Sequence, residues 1–386
     1  MIWKKTGWAA AIAAWTLMGS ARPAEELTIE KVGALGRIPI AVEGYSGEAA
    51  QVLRFDLEIA GFRYVDRSQA QYLLAGKSVN RVEGALTDLV SGARLFSKAY
   101  TGATLRVQAH ALADDVVQAV TGRPGIARTR IAFRVTRNGV SEIYVADYDG
   151  HNPIQITRDG TVTAAPCWAP GQNKLLYVTY RFGNADILLH DLNTGRRAFV
   201  ARYSGSNISP AASPDGRRVA MILSKSGSPD LYVANLDGSG LRQLTQTPGV
   251  EACPTWSPDG RWIAYSTRLG GRRVLAKVPV SGGVPKRIPT SGVLNPTEAD
   301  WSPDGRWIAF TSQMGGFEIC VVPAGGGEAR ILVSGEDPVW APNSRTLIYV
   351  RRAGGRRQLS LLDVFTKERK DVARSLGDCS QPTWAR

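Results

Sequence analysis

The sequence predicts a small N-terminal α/β domain followed by an all-β six-bladed β-propeller, its ring closed by a C-terminal strand a. Three observations predict it. The phrase Trp256-Ser257-Pro258-Asp259-Gly260 returns at Trp301-Ser302-Pro303-Asp304-Gly305, with weaker copies at Ala212-Ser213-Pro214-Asp215-Gly216, Trp168-Ala169-Pro170-Gly171 and Trp340-Ala341-Pro342-Asn343. The anchor positions 168, 212, 256, 301, 340 and 384 are 44, 44, 45, 39 and 44 residues apart, the period of a four-stranded propeller blade. The last fragment, Pro382-Thr383-Trp384-Ala385-Arg386, stops where the turn would begin, while residues 129–165 read as strands b, c and d with no preceding Trp phrase. The two ends therefore share one blade, which leaves no open sheet edge in the ring.

Within a unit each element has a local cause. Pro and Gly occupy positions that suit a type I turn, and the preceding Trp is a plate for packing between blades. An apolar run follows, as in Trp262-Ile263-Ala264-Tyr265, then a Gly break at Leu269-Gly270-Gly271, a strand at 274–280, and a tight Ser281-Gly282-Gly283 turn into a last strand. These are strands a, b, c and d.

Ahead of the repeats the chain divides into three. Residues 1–24 carry Lys4 and Lys5, an apolar segment at 7–18 and small residues up to Ala24, the pattern of a secretory signal peptide cleaved after Ala21 or Ala24. With the first cysteine at Cys167, no lipoprotein signal is expected. The mature chain is expected to be exported and soluble, with no direct membrane insertion. Residues 25–36 form an extended N-terminal segment, starting Glu25, Glu26, Leu27, Thr28, Ile29, Glu30, in which Leu27, Ile29 and Lys31 alternate with polar neighbours, so that it could add as a strand to a partner or simply fray. Residues 37–125 read as the α/β domain: a strand at 38–42, a helix at 48–59, strands at 62–65 and 72–76, extended runs at 78–81 and 84–100 broken near Ser91-Gly92, and a helix at 110–120. Residues 121–125 are a hinge, and 126–386 the propeller.

The formal charge is +13, of which Lys4, Lys5 and Arg22 contribute three, so +10 remains after cleavage at Ala24. That balance fits an acidic partner or surface, or an Arg-rich genome; export argues against nucleic acid. Cys167, Cys253, Cys320 and Cys379 leave disulfides and free thiols both open. There is no Gly-x-Ser-x-Gly elbow, and His110, His151 and His190 have no partners at triad or metal spacing. Asp147-Tyr148-Asp149-Gly150 reads as a hairpin turn rather than a calcium loop. A non-enzymatic binding protein without cofactor or metal is expected, and a monomer.

Propeller geometry locates its binding face. Loops d–a and b–c share one end of the ring, and the Trp-Ser-Pro-Asp-Gly turns lie at the other. The first end carries Ser206, Asn207, Ser209, Glu251, Ala252, Asn295, Glu298, Glu336 and Asp337 around the mouth. Its b–c loops carry Arg181, Lys225, Arg268, Arg272, Arg273, Arg351, Arg352, Arg356 and Arg357 as a basic rim.

The order of parts carries a resemblance. The α/β domain, the 110–125 helix and hinge, Ala127-Arg128-Thr129-Arg130-Ile131-Ala132-Phe133, the Asp147-Tyr148-Asp149-Gly150 turn and the truncated final repeat together resemble the TolB family of periplasmic propellers of the Tol–Pal envelope system. The resemblance implies two partners: a peptidoglycan-associated lipoprotein (Pal) at the mouth, touching Ser206, Asn207, Ser209, Glu251 and Ala252, and the inner-membrane protein TolA at residues 25–33. It implies a role in envelope integrity and cell division. The loop before Pro210 has no His and Ala252 has no hydroxyl, which departs from the family pattern. A propeller that binds peptidoglycan or another envelope ligand is the alternative. Because the chain stops at the closing strand, no hydrolase domain is expected beside it.

Overall fold

The N-terminal sheet starts with β1 (Ile38–Glu43), which pairs in parallel with both β2 (Phe62–Tyr64) and β3 (Tyr72–Lys77). A parallel pair needs a crossover, and α1 (Gly47–Ile59) supplies the one between β1 and β2. Strands β4 (Glu83–Asp88) and β5 (Arg94–Ala99) extend the sheet antiparallel, in the order β2-β1-β3-β4-β5. Helix α2 (Leu105–Thr121) starts one turn earlier than its apolar periodicity suggests, because Thr104 Oγ1 caps it by accepting the Val107 N–H at 3.2 Å. The run 78–81, expected to be extended, is a loop whose flanks are tied by side chains: Ser46 N–H donates to Ser78 Oγ at 3.3 Å and Val82 N–H to Gln108 Oε1 at 2.7 Å. The apolar faces of α1 and α2 pack with Ile40, Leu74 and Leu86 of the sheet into one core.

The structure is a computed structural model that describes residues 36–373 and 376–386. The predicted leader, and the segment holding Glu25, Glu26, Leu27, Thr28, Ile29 and Glu30, lie outside the described residues.

Six four-stranded antiparallel sheets follow as a ring. In blade 1, strand a is Asp378–Trp384 and strands b and c are Arg130–Arg137 and Val140–Asp147, so the chain's two ends close one sheet. Strands a of blades 2 to 6 are Thr163–Trp168, Asn207–Ala212, Ala252–Trp256, Thr297–Trp301 and Glu336–Trp340. Six apolar clusters lie between successive blades, one per junction. The repeated Trp fills five of them, Ala212 standing at its place in the cluster between blades 2 and 3: Trp340 and Trp384 are almost wholly buried, while Trp168, Trp256 and Trp301 each carry a cation from the preceding blade over the ring. A parallel pair not foreseen from sequence, Thr290–Ser291 with Gly327–Glu328, links blades 4 and 5.

The turn phrase builds itself locally. In blade 4 Ser257 Oγ donates to Asp259 Oδ1 at 2.5 Å and accepts the Trp262 N–H at 2.9 Å, while Asp259 Oδ1 accepts the Arg261 N–H at 3.0 Å. Blade 5 repeats the pattern with Ser302, Asp304 and Trp307.

The α/β domain sits on this turn-bearing end, against blades 6 and 1. Glu58 pairs with Lys370 and Arg37 with Glu368. Gly61, at φ +95°, ends α1 where a Cβ would stand 2.0 Å from Arg345 Nη2, itself bound to Asp363. Asp56, His110 and Tyr148 meet in the buried centre of this junction.

Candidate functional site: the propeller channel

Every strand a breaks its pairing register at the same place, and the residue at the break turns to positive φ. These residues are Ala165 (47°), Ser209 (53°), Cys253 (50°), Glu298 (53°), Asp337 (55°) and Gln381 (49°). In five blades a proline follows, at 166, 210, 254, 338 and 382. Proline brings no N–H to a ladder, and a non-glycine residue before proline at positive φ is strained. The bulge accommodates both and points one side chain per blade into the channel. The channel has a volume of about 610 Å³ and is lined by all six.

Neighbouring blades are stitched through this ring. Asp337 N–H donates to Glu298 Oε2 at 3.0 Å, Gln381 N–H to Asp337 Oδ2 at 3.0 Å, and Ala165 N–H to Gln381 Oε1 at 2.9 Å. Glu298, Asp337 and Gln381 thus each hold the backbone of the next blade. Two residues further along strand a lies a second layer. Asp300 Oδ2 accepts the Trp340 N–H at 2.7 Å and Arg386 Nη2 at 2.5 Å, and Thr255 Oγ1 accepts the Trp301 N–H at 3.1 Å.

Charge in the channel is uneven. Asp300 has Arg386 as counter-ion, whereas Glu298 and Asp337, one layer away, face each other beside the Thr311 hydroxyl, which donates to Glu298 at 2.6 Å. Burial first, and the Glu298 charge second, push the Asp337 carboxyl up to about 8. The folded form therefore holds a proton that the unfolded chain releases near its ordinary acid range. Stability should fall as pH rises from about 4 towards 8, with a slope of up to about 1.4 kcal/mol per pH unit for that one proton. Asp337→Asn tolerates the positive φ and keeps an acceptor for Gln381, so it should flatten this slope. Denaturant melts of both proteins across that range check it; parallel curves would exclude Asp337 as the titrating group.

The expected mouth residues divide into groups. Ser209, Glu298 and Asp337 stand together in the channel ring. Ser206 is on the d–a loop with its N–H on Ser224 Oγ at 2.7 Å, Ala252 begins strand a of blade 4, and Asn295 caps its loop through Gln313 O at 3.3 Å. Asn207 and Glu251, expected around the mouth, are buried within its loops. Asn207 Nδ2 donates to Ala185 O and Tyr203 O, both at 2.9 Å, and Glu251 Oε1 accepts from Thr247 at 2.7 Å and Thr267 at 3.0 Å. Both build the loops that frame the mouth. Arg352 and Arg356 stand apart, on the blade 6 hairpin; Arg352 lies 3.8 Å from Glu336. Of the wider rim, Arg351 is taken up by Asp371 and Arg357 by Glu336.

Other expectations meet their geometry here. All four cysteines are unpaired thiols, which burial pushes up to about 11 at Cys167 and about 12 at Cys253. In the Asp147–Gly150 turn the carboxylates are occupied, Asp147 by Asn152 at 2.9 Å and Asp149 by Arg106. The Trp-Ser-Pro-Asp-Gly turns, expected to be structural and remote, contribute Pro214, Pro258 and Pro303 to the channel lining. Sequence reading missed Ala165, Cys253 and Gln381 as channel residues. A signal was present: each precedes a proline, two residues before the strand-a Trp at Pro166, Pro254 and Pro382.

Comparison with known proteins bears on this architecture. The family model for the TolB beta propeller domain matches residues 117–386. The Tol-Pal system protein TolB of Xanthomonas campestris pv. campestris (strain B100) is 42% identical over 322 residues, covering 80% of this chain and 73% of the relative. That of Haemophilus influenzae (strain 86-028NP) is 38% identical over 121 residues, 30% of this chain and 28% of the relative. Among solved structures, TolB from Acinetobacter baumannii superposes with a TM-score of 0.84 at 23% identity, over 90% of this chain and 96% of that one, which is a likeness of fold.

Proposed function

The chain belongs to the TolB propeller family of the Tol–Pal system, and from that premise we propose that it is a non-enzymatic periplasmic protein joining a Pal-like lipoprotein to a TolA-like inner-membrane protein. The propeller mouth and channel take the lipoprotein, with Ser209, Glu298 and Asp337 reached through the opening and Ser206, Ala252 and Asn295 on its frame. Asn207 and Glu251 act through the loops they hold, and Arg352 and Arg356 meet acidic groups at the rim. Residues 1–24 direct export, and Glu25, Glu26, Leu27, Thr28, Ile29 and Glu30 belong to the segment that engages the TolA-like partner. The observation that carries this reading is the ring of six bulged side chains, which line a channel large enough for an inserted loop.

The test is affinity capture from envelope extract with residues 25–386 as bait, read by mass spectrometry. A Pal-like lipoprotein should be recovered, and its affinity should fall about tenfold or more, worth about 1.4 kcal/mol, when Ser209→Tyr narrows the channel. Arg261→Ala, in an exposed turn at the far end, should leave capture intact. Removing residues 25–33 should lose the TolA-like protein. Recovery of glycan fragments or an unrelated enzyme in place of the lipoprotein would sink the proposal.

A further inference from the structure

Three neighbouring b–c hairpins on the mouth-bearing end share a design. Blade 4 pairs Trp262–Leu269 with Arg272–Pro279 across Gly270-Gly271, blade 5 pairs Trp307–Gln313 with Phe317–Pro323 across a loop holding Gly315-Gly316, and blade 6 pairs Thr346–Ala353 with Arg356–Asp363 across Gly354-Gly355. They overhang their own blades. Strand a of blade 4 pairs last at Ala252 with Ser266, yet the hairpin runs three residues on to Leu269, and in blade 6 it runs from Val350 to Ala353. In blades 2 and 3 the hairpins stop level with strand a, at Thr179 and Leu223. Three residues of strand amount to about 10 Å, so blades 4 and 6 carry a ridge of paired backbone where blades 2 and 3 have the irregular loops 180–185 and 224–229.

The ridge is apolar at its crest and cationic around it. Leu269 is 62% exposed, Met314 47% and Phe317 39%, and Leu294 on the adjoining loop is 54% exposed. Arg268, Arg272 and Arg356 are exposed, and none has a carboxylate within ion-pair distance among the described residues. Arg352 stacks its guanidinium 5.9 Å from the Phe317 ring, which ties blades 5 and 6 into one surface. Convex apolar tips flanked by unpaired arginines match a bilayer interface, where the apolar side chains enter the headgroup boundary and the guanidinium groups meet phosphates.

We propose that the blade 4–6 ridge docks peripherally on an anionic phospholipid surface. Docking uses headgroup phosphates and shallow burial of Leu269 and Phe317, and it is independent of any protein in the channel.

The experiment is co-sedimentation of residues 25–386, which removes the apolar leader, with phosphatidylglycerol-containing and pure phosphatidylcholine vesicles at low salt. Binding is expected to the anionic vesicles alone and to weaken with added salt. Arg268→Glu with Arg272→Glu should lower it about tenfold or more, since each cation near such a surface contributes roughly fivefold. Leu269→Ser with Phe317→Ser should lower it too, while Arg261→Glu with Arg306→Glu at the far end should leave it unchanged. Hydrogen exchange on the unaltered protein gives a second readout that needs no variant: vesicles should protect residues 268–273 and 313–317. Absence of binding to anionic vesicles, equal losses in the far-end variant, or protection elsewhere would overturn the proposal; binding that needs an added acidic protein would do the same.

Discussion

Trp384→Ala should destabilise the protein by about 3–5 kcal/mol and make it self-associate, because it opens the ring at its seam. Trp384 is 2% exposed in the cluster between blades 6 and 1, its Nε1 donates to Thr129 Oγ1 at 2.7 Å, and its strand pairs with Arg130–Arg137. Beyond it Ala385 N–H donates to Arg130 O at 2.9 Å, and Arg386 bonds to Asp300 and to Trp340 O. In this blade no turn joins strand a to strand b, so the two are held by pairing and packing alone, and losing the Trp384 anchor bares the edge of strand b as a template for pairing. Trp340 is the control: it is equally buried, but a short turn links its strand directly to strand b of the same blade. Trp340→Ala should cost a similar amount of stability while the protein stays monomeric before unfolding. Denaturant melts with light scattering check both, and equal association by the two variants would show that the seam has no special role.

What the sequence could and could not disclose follows from the range of each interaction. The Ser257–Asp259 and Ser302–Asp304 turns are closed by side chains two apart and by backbone N–H groups within five residues, so the repeated phrase and the two residues after it contain their cause. The truncated Pro382-Thr383-Trp384 was legible for the same reason, as half of a known pattern. The channel ring was half legible: the x-Pro pairs recur at blade spacing, but the positive φ arises from how strand a must bend past strand b. Burial of Asn207 and Glu251 was not legible, since a polar residue in a loop reads the same whether it faces solvent or caps Ala185 and Thr267. The helix start at Leu105 was hidden by taking apolar spacing over the Thr104 cap.

Least visible of all was the junction between the two parts of the molecule, and there the effect of one substitution should be large. Asp56→Ala should cost about 3–5 kcal/mol and uncouple the α/β domain from the ring. Asp56 comes from α1, accepts from His110 Nδ1 of α2 at 2.7 Å and from the Tyr148 hydroxyl of the blade 1 turn, and all three are buried. Burial opposes charge on His110, but the bond to Asp56 and the charges of Asp56 and Asp149 outweigh it and raise its pKa. Arg106 completes a balanced group by pairing with Asp149. Taking away the central carboxylate leaves the His110 ring and the Tyr148 hydroxyl buried without their acceptor, whereas Asp56→Asn keeps an acceptor and should lose less. The partners are 54 and 92 residues from Asp56, so no spacing in the sequence links them. Calorimetry should show the single transition of the parent resolving into two, with early proteolysis between α2 and the first propeller strand. Arg54→Ala, on the exposed side of α1, should leave one transition. A single, uniformly lowered transition in Asp56→Ala would mean that the domains unfold as one and that this buried group is not what couples them.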